Sequence, residues 1–499
     1  MKEKVIIRAD ASVAIGTGHV MRCLAFAQAW QRSGGGAFVF QSETTPAIVN
    51  RLQVSEVEQG AIHASAGSLE DAFQTIGAAR RCAARWIVAD GYRFGAEWQQ
   101  TVQASGIGLL VLDDYGHAER YHADFVLNQN LSARAELYAR RESTTRLLLG
   151  SRFALLRQEF LESRARVGQR SPRGRRILVT LGGSDPQDVT SEVLMALAAI
   201  PDVNVVAVVG GSNPNLPRIA ELTKGNPKFR LVVDTRNMPE LMAWADLAVA
   251  AAGSTWWEFA LMGLPGVAIV TAANQAEVAV ALERDGLGVN LGDYRTASLA
   301  RITATVVDLL DDYPRREKMS RRGRELVDGG GAARVVTRLR SRCLQVRPVR
   351  KEDCRQLWEW ANDPGVRASA FQQESITWEA HERWFAKKMN ASNTIIYIGS
   401  DAEGRLLGQV RFDWTPEGVA VIDVSIAPAS RNAGWGSALI RRAADIFFSS
   451  TVVRKVEAFV KPENAPSCRA FERAGFANLG ATVQDGHAAV KLALLPTDE

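Results

Sequence analysis

The N-terminal segment VIIRADASVAIGTGHVMR places a short apolar strand, a glycine turn and a helix start in immediate succession. The strand at residues 5–7 leads into a turn that contains Gly16 and Gly18, and an amphipathic helix is predicted from His19. Glycines let a ligand approach the backbone, and the N–H groups and partial positive charge of a helix N-terminus favour an anion. That field also disfavours an imidazolium, so a histidine in the first turn is suited to accept a proton. His19 is therefore a candidate base, with an ordinary polar first-turn residue as the alternative.

The composition is that of a folded multidomain chain. Its 499 residues exceed what one core accommodates, so two or three domains are expected. A net charge of +5 is too small to indicate nucleic acid, and neither a signal peptide nor an apolar run of membrane-spanning length is found. The cysteines form no CxxC pair, which predicts a reducing cytoplasm without a zinc site or disulfide framework. They are Cys23, Cys82, Cys343, Cys354 and Cys468.

Alternating strand and helix patterns divide the first two thirds of the chain into two similar parts. Such alternation predicts a parallel sheet with helices on both faces, so each part is predicted to be a Rossmann-like α/β domain. The first spans 1–160 and the second 175–335. Between them, RARVGQRSPRGRR holds six arginines and is predicted to be a solvated linker rather than a nucleic-acid patch. Two such domains in tandem leave a cleft at the carboxyl ends of both sheets.

Two glycine-serine turns of the second part each follow a strand and precede a helix. One contains Gly183 and Ser184, and the other contains Gly253 and Ser254. Such turns bind phosphate through N–H groups, and Glu258, one turn into the second helix, could accept both hydroxyls of a ribose. The alternative is that these are the common turns of any α/β protein and that Glu258 only complements the helix dipole.

The pattern changes from residue 344, where strands joined by short turns replace the strict alternation. Residues 401–404 and 415–418 are hairpin turns, and helices and strands then follow in a mixed order. The segment 344–499 is therefore predicted to be an α+β domain. Its most informative part is VIDVSIAPASRNAGWGSALIRRA, in which a strand leads through an RxxGxG turn into a helix. Successive N–H groups of such a turn are suited to a pyrophosphate.

Residues 5–330 resemble the UDP-2,4-diacetamido-2,4,6-trideoxy-β-L-altropyranose hydrolases of pseudaminic acid biosynthesis. The segments that carry the resemblance are RADASVAIGTGHVMRC, DGYRF, LDDYG, LNQN, SRFALLRQEF, LGGSDPQDVT, GSNPNLP, AAGSTWWEFALMGLP and ANQ. The resemblance implies the two-lobed, MurG-like (GT-B) architecture and a metal-independent, inverting hydrolysis that releases UDP, with His19 as the catalytic residue. It also implies sugar or nucleotide contacts by Tyr92 and Asn274. Glycosyltransferases share the second-lobe loops, so those loops alone leave glycosyl transfer open.

Elementary chemistry supports that reading of the cleft. Breaking the bond between an anomeric carbon and a diphosphate builds negative charge on UDP, which helix N-termini at residues 184 and 254 would stabilise. One neutral base on the opposite face would deprotonate water and invert the configuration. Asp113 and Asp114 are further candidates for a base or a sugar contact. A simple strand-end turn is the alternative, and it is favoured for Asp114.

Residues 344–495 resemble the GNAT superfamily of N-acetyltransferases, through the strand and RxxGxG turn together with KPENAPSCRAFERAGF. The resemblance implies that acetyl-CoA is the cosubstrate and that its pantetheine arm pairs with a splayed strand. The residues implied for the cofactor are Val424, Ile426, Arg431, Asn432, Ala433, Gly434, Trp435, Gly436, Ser437 and Asn464. Phe471 departs from the family pattern, because a tyrosine there can protonate the leaving thiolate. Four tryptophans could line an acceptor pocket, although core packing is the favoured role for each: Trp358, Trp360, Trp378 and Trp384.

The leading hypothesis joins the two parts as consecutive steps. A UDP-4-amino-sugar is acetylated from acetyl-CoA, and the acetylated product is then hydrolysed to free sugar and UDP. One alternative is a glycosyltransferase of the same two-lobed fold with an unrelated acetyltransferase. A second is that one domain is catalytically inactive and serves as a binding or assembly module, against which the intact GTGH and RxxGxG motifs argue.

Overall fold

The structure is a computed structural model, which describes residues 3–12, 15–211 and 213–496. Val13 and Ala14 of the N-terminal glycine segment and Ser212 of GSNPNLP lie outside the described residues. The chain forms two compact units, Met1–Ala332 and Ala333–Glu499. The first unit contains two separate parallel sheets and the second contains one mixed sheet.

The first lobe is a seven-stranded parallel sheet in the order β3-β2-β1-β4-β5-β6-β7. Its strands are β1 (Lys4–Ala9), β2 (Gly36–Gln41), β3 (Glu58–Ala61), β4 (Ala84–Asp90), β5 (Gly108–Leu112), β6 (Phe125–Asn128) and β7 (Arg146–Leu149). Its helices are α1 (Gly18–Arg32), α2 (Pro46–Val54), α3 (Leu69–Arg81), α4 (Ala96–Ala104) and α5 (Gln158–Ser163). The strand order reverses between β1 and β4, which is where doubly wound sheets open a crevice for ligands.

The second lobe repeats this architecture with a six-stranded parallel sheet in the order β10-β9-β8-β11-β12-β13. Its strands are β8 (Arg176–Thr180), β9 (Asn204–Val209), β10 (Phe229–Val233), β11 (Leu247–Ala251), β12 (Gly266–Val270) and β13 (Gly288–Asp293). Its helices are α6 (Val189–Ala198), α7 (Leu216–Thr223), α8 (Met238–Trp244), α9 (Thr255–Met262), α10 (Ala276–Arg284), α11 (Leu299–Asp311) and α12 (Tyr313–Leu326). The prediction of two Rossmann-like folds is confirmed.

The arginine-rich connection between the lobes is solvated in part, as its composition predicts, but one of its arginines is anchored in the second lobe. The Arg170 guanidinium donates to the carbonyl oxygens of Met242, Ala245, Met262 and Gly263, at the ends of α8 and α9. Helix C-termini carry unsatisfied carbonyls and partial negative charge, so a half-buried arginine can cap two of them at once. The connection is thereby fixed to the second lobe.

The second unit contains a seven-stranded mixed sheet in the order β14-β15-β16-β17-β18-β20-β19. Its strands are β14 (Gln345–Pro348), β15 (Thr394–Ser400), β16 (Leu406–Trp414), β17 (Val419–Ile426), β18 (Lys455–Val460), β19 (Ala477–Gln484) and β20 (His487–Leu494). Its helices are α14 (Cys354–Ala361), α15 (Pro364–Ser369), α16 (Trp378–Met389), α17 (Trp435–Ser450) and α18 (Ala465–Ala474), and α13 (Gly331–Arg342) leads into it. The α+β prediction is confirmed. No described helix is both long enough and apolar enough to span a bilayer.

Candidate functional site

The first candidate site is built at the carboxyl ends of β1 and β4. The two strands pair in parallel with Ala9 opposite Asp90, and α1 begins at Gly18 directly after the glycine turn. His19 in the first turn places Nδ1 2.6 Å from Asp90 Oδ1. An ionised carboxylate only accepts hydrogen bonds, so Nδ1 carries the hydrogen and Nε2, on the opposite side of the ring, is the acceptor. This is the arrangement that a general base requires.

Arg22 keeps Asp90 ionised. Its Nε and Nη2 lie 2.6 and 2.7 Å from the two oxygens of Asp90. Burial disfavours the charged carboxylate, but the charge of Arg22 and the hydrogen bonds from Arg22 and His19 outweigh it, and the pKa of Asp90 lies well below its usual range. Asp90 therefore holds the imidazole in one tautomer and would stabilise the imidazolium that forms when His19 takes a proton.

Tyr92 lies beside this pair and connects it to the second lobe. Its ring meets the His19 ring edge-on, with centroids 5.1 Å apart. The Tyr92 hydroxyl donates to Asp114 Oδ2 at 2.7 Å and accepts from Asn274 Nδ2 at 3.1 Å. Tyr92 and Asn274, which sequence analysis assigns to the substrate, are thus brought together from different lobes.

The two neighbouring aspartates have roles opposite to those the sequence favours. Asp113 is 1% exposed, and its carboxylate accepts from the backbone of its own turn and from the side chains of His117 and Tyr121. It is a structural turn residue, and its carboxylate is not available as a base or sugar contact. Asp114, for which sequence analysis favours the turn, instead contacts Arg22 and Tyr92.

The turns of the two lobes approach each other around Gly18. A Cβ atom added at Gly18 would lie 3.9 Å from Ser254 Oγ, and one added at Gly183 would lie 3.4 Å from Thr17 Oγ1. Gly253 has no heavy atom within 4 Å of such a Cβ position, so the backbone before α9 is open to a ligand. The N-terminus of α9 and the histidine turn therefore border the same cleft.

The Gly183–Ser184 turn does not present a helix N-terminus to this cleft. Helix α6 begins only at Val189, and the Asp185 carboxylate accepts from the backbone N–H groups of Val189 and Thr190 at 3.1 and 2.8 Å. A carboxylate already occupies the anion position of this helix. The predicted stabilisation of a diphosphate by a helix starting at residue 184 is wrong, whereas α9 begins where it is expected.

Glu258 lies in the first turn of α9 and is paired with an arginine. Its Oε1 is 2.9 Å from Arg157 Nη2, and Arg157 also bonds to Glu159 at 2.7 Å. Burial raises the pKa of Glu258, while the charge of Arg157 opposes that shift. The Glu258 side chain is held by Arg157 and is 16% exposed, so part of its carboxylate remains accessible.

The second candidate site lies in the mixed sheet, where β17 and β18 separate. The two strands pair only from Val419↔Lys455 to Val421↔Glu457, whereas β17 continues to Ile426. Val424 and Ile426 lie opposite Val410 and Gly408 of β16, and beyond Val421 no described strand pairs with the edge of β17 that faces away from β16. This is the splayed strand edge that a pantetheine arm would extend.

The RxxGxG turn begins just after that edge and ends in α17. Gly434 caps the helix with a φ of +79°, a conformation that favours glycine, and Asn432 has a φ of +60°. Arg431 donates to the Ile426 carbonyl at 3.2 Å and pairs with Asp363 at 2.6 Å. Arg340 of α13 donates to the Ala433 carbonyl, and its guanidinium carbon lies over the Trp435 ring, 5.2 Å from the ring centroid.

Other predicted residues of this domain have structural partners. Asn464 caps α18 by accepting from Ser467 N at 3.1 Å. Phe471 is 5% exposed and packs against Phe476, which is a core role. Trp360 is also in the core. The rings of Trp358 and Trp378 meet edge-on with centroids 5.8 Å apart. The Arg411 guanidinium carbon lies over the Trp384 ring, 5.3 Å from its centroid.

Four residues of the first candidate site were not predicted from the sequence. The sequence contains a local signal for some of them and none for the others. Arg22 is three residues after His19 and therefore on the same face of α1. Asp90 is the last residue of β4, and a single sequence does not show which strand lies beside β4 in the sheet. The four residues are Arg22, Asp90, Asn130 and Arg157.

Family models match two segments of the chain. Residues 176–329 match the glycosyltransferase family 28 C-terminal domain, and residues 344–477 match the acetyltransferase (GNAT) domain. Among solved structures, an aminoglycoside acetyltransferase AAC(6')-Ib in complex with coenzyme A is 22% identical, covering 30% of this chain and 94% of that chain with a TM-score of 0.28.

The chain is also similar to three curated proteins. The spore coat polysaccharide biosynthesis protein SpsG of Bacillus subtilis is 28% identical over 46% of this chain and 68% of its own length. The uncharacterized protein MJ1062 of Methanocaldococcus jannaschii is 22% identical over 95% of this chain and 96% of its own. The UDP-2,4-diacetamido-2,4,6-trideoxy-beta-L-altropyranose hydrolase of Campylobacter jejuni is 24% identical over 57% of this chain and 98% of its own. The chain is therefore a homologue of that hydrolase and of SpsG that also carries a C-terminal GNAT-type acetyltransferase domain.

Proposed function

We propose that this protein is a bifunctional nucleotide-sugar enzyme of pseudaminic acid biosynthesis. Its GNAT domain transfers an acetyl group from acetyl-CoA to the amine of a UDP-4-amino-sugar. Its two-lobed unit hydrolyses the resulting UDP-2,4-diacetamido-2,4,6-trideoxy-β-L-altrose to free sugar and UDP. The observation that carries the hydrolytic half is the His19–Asp90 pair, which leaves Nε2 as the acceptor in a cleft bordered by the N-terminus of α9.

In the hydrolysis, His19 Nε2 takes a proton from water while the water oxygen bonds to the anomeric carbon. The bond between that carbon and the diphosphate breaks, and both electrons leave with UDP. Backbone N–H groups at the start of α9 stabilise the departing charge. Attack from the face opposite UDP inverts the configuration, and no metal ion takes part in the step we propose.

In the acetylation, the pantetheine arm extends the unpaired edge of β17 and the pyrophosphate occupies the turn at residues 431–436. The neutral amine of the sugar attacks the thioester carbonyl, and the C–S bond breaks. The nitrogen then gives up one proton to solvent, and the thiolate of coenzyme A takes a proton from solvent. Phe471 has no hydroxyl and is buried, so it supplies no proton to this step. Val424, Ile426 and Asn432 would border this path, and Asn464 would offer its amide N–H₂ group to it. The Ser437 side chain is buried, and its hydroxyl donates to the Gly434 carbonyl at 3.0 Å.

The direct test is incubation of the purified protein with UDP-4-amino-4,6-dideoxy-AltNAc, with and without acetyl-CoA, followed by mass spectrometry. We expect an added acetyl group only when acetyl-CoA is present, and then free diacetamido sugar and UDP. Acetylation without UDP release would contradict the hydrolytic half. UDP release without acetylation would contradict the proposed order of the steps.

Glycosyl transfer is a second candidate, because the second lobe matches the glycosyltransferase family 28 model. A glycosyltransferase would release UDP only when an acceptor other than water is present. The same incubation separates the candidates, because it contains no such acceptor.

Replacing Glu258 with alanine should weaken UDP binding and leave the chemical step largely intact. A ribose contact is remote from the anomeric carbon, so its loss raises KM and leaves kcat nearly unchanged. Arg157 keeps Glu159 as a partner, so the fold should survive. Calorimetry with UDP measures the effect, and the exposed Glu240→Ala in the same lobe is the control. Unchanged affinity in Glu258→Ala would leave Glu258 with a structural role only.

A further inference from the structure

Arg22 joins two carboxylates that serve two different side chains of the cleft. Asp90 contacts His19, and Asp114 contacts Tyr92. We infer that Asp114 is a positioning residue that binds the phenolic hydrogen of Tyr92, so that the Tyr92 oxygen acts in the cleft as a hydrogen-bond acceptor. The inference rests on the proposed hydrolysis, to which it adds how the attacking water is oriented.

The contacts of Asp114 divide between its two oxygens. Oδ1 accepts from Arg22 Nη1 at 2.8 Å and from Asn130 Nδ2 at 2.9 Å, whereas Oδ2 faces the Tyr92 hydroxyl at 2.7 Å. Burial disfavours the charge of Asp114, but Arg22 outweighs it and the pKa of Asp114 lies below its usual range. An ionised carboxylate has no hydrogen to give, so the Tyr92 hydroxyl must donate.

The remaining bonding capacity of Tyr92 follows from that assignment. Its only hydrogen is directed to Asp114, and its oxygen accepts from Asn274 Nδ2 at 3.1 Å. A phenol oxygen can accept a further hydrogen bond. Any ligand atom that meets this oxygen must therefore be a donor, and an acceptor such as a sugar ether oxygen would be repelled.

His19 presents the same polarity from the adjacent ring. Its Nδ1 hydrogen is bound to Asp90, which leaves Nε2 as an acceptor. A water molecule has two hydrogens to donate, and the two acceptors are His19 Nε2 and the Tyr92 oxygen. The two rings meet edge-on with their centroids 5.1 Å apart. With both hydrogens bound, a lone pair of the water oxygen is left for the anomeric carbon. The two carboxylates thus set the hydrogen-bond polarity of the nucleophile's site.

Asp114→Asn reverses this polarity with little change in shape. Arg22 and Asn130 both donate to one oxygen, so the single oxygen of the new amide keeps that place and its N–H₂ group takes the place of Oδ2. The amide then donates to Tyr92, whose hydroxyl hydrogen turns towards the cleft. We expect kcat to fall by about tenfold to a hundredfold, as for lost partners that orient reacting groups, with KM nearly unchanged.

A double-mutant comparison separates positioning from a general structural effect. If Asp114 acts through Tyr92, the double variant Asp114→Asn/Tyr92→Phe should be no slower than Asp114→Asn alone. Multiplying losses would overturn the inference, because Asp114 would then act on something other than the Tyr92 hydroxyl. Asp71→Asn is the matched control: it alters a buried carboxylate of the same lobe that binds Arg8 and contacts neither Tyr92 nor His19.

Tyrosine Raman spectra test the same point without any substrate. The intensity ratio of the tyrosine doublet distinguishes a phenol that donates a strong hydrogen bond from one that accepts. Subtracting the Tyr92→Phe spectrum from wild type isolates Tyr92, and the same subtraction in the Asp114→Asn background isolates it there. We expect a strong donor in the first difference, an acceptor in the second and no change in Asp71→Asn.

An unchanged Tyr92 signature in Asp114→Asn would overturn the inference whatever the activity. If the signature changes as expected but the wild-type protein releases no UDP, the positioning of Tyr92 stands and the proposed hydrolysis fails. The two failures are therefore distinguishable.

Discussion

Replacing His19 with asparagine should lower the rate of UDP release by about 10²–10⁴-fold, the usual cost of losing a positioned general base. The amide N–H₂ group of asparagine can still donate to Asp90, so the buried carboxylate keeps a partner and the fold should be retained. Asp113 does not replace His19 as the base, because its carboxylate is enclosed by its own turn. Single-turnover measurements of UDP release would quantify the loss.

The control for this substitution is His63→Asn, which changes an exposed histidine of the same lobe and should leave the rate unchanged. UDP affinity, measured by calorimetry, should be the same in both variants, because the α9 turn and Glu258 lie on the other lobe. Near wild-type turnover in His19→Asn would refute the assignment of the base.

The fold is predictable from sequence wherever strands are buried and helices are amphipathic. β11 is a continuous apolar run, residues 86–89 form the apolar centre of β4, and α1 buries the apolar positions expected of it. Four strands were not predicted, and all four lie at sheet edges: β3, β7, β13 and β19. The residues of β3 and β19 are mostly exposed, so no hydrophobic periodicity marks these two strands.

The glycine turns and His19 are predictable because strand–turn–helix junctions carry local signals. The partners of His19 are less so, since the contact with Asp90 depends on β1 and β4 being neighbours. Asp185 shows the reverse case, in which a local motif is present but does not give the expected site. It follows GGS, where a phosphate-binding helix start is expected, yet its own side chain caps α6. Whether a helix N-terminus is free for a ligand depends on one hydrogen bond that the motif does not specify.

The RxxGxG turn gives the prediction with the second largest effect. Gly434→Asp and Gly436→Asp should both abolish acetyl-CoA binding, but the first also forces an aspartate to a φ of +79°. Gly436→Asp is cleaner, because Gly436 lies within α17 and a Cβ there meets only the Ile426 side chain, at 3.4 Å. An acidic residue in the first turn of a helix favours folding.

In Gly436→Asp we expect acetyl-CoA affinity to fall about a thousandfold, since like charges ~4 Å apart near a protein surface repel by about 4 kcal/mol. Gly436→Ala adds the same Cβ without the charge and should bind far better than the aspartate variant. Calorimetry with acetyl-CoA measures the affinity of both variants. The full chain is used because Arg340 supports the turn, and a fragment that begins at residue 344 would lack Arg340. UDP release from pre-acetylated substrate should be unchanged in Gly436→Asp, because that reaction uses His19 and the α9 turn. If both activities fell together in a folded protein, the two reactions would have to share one site.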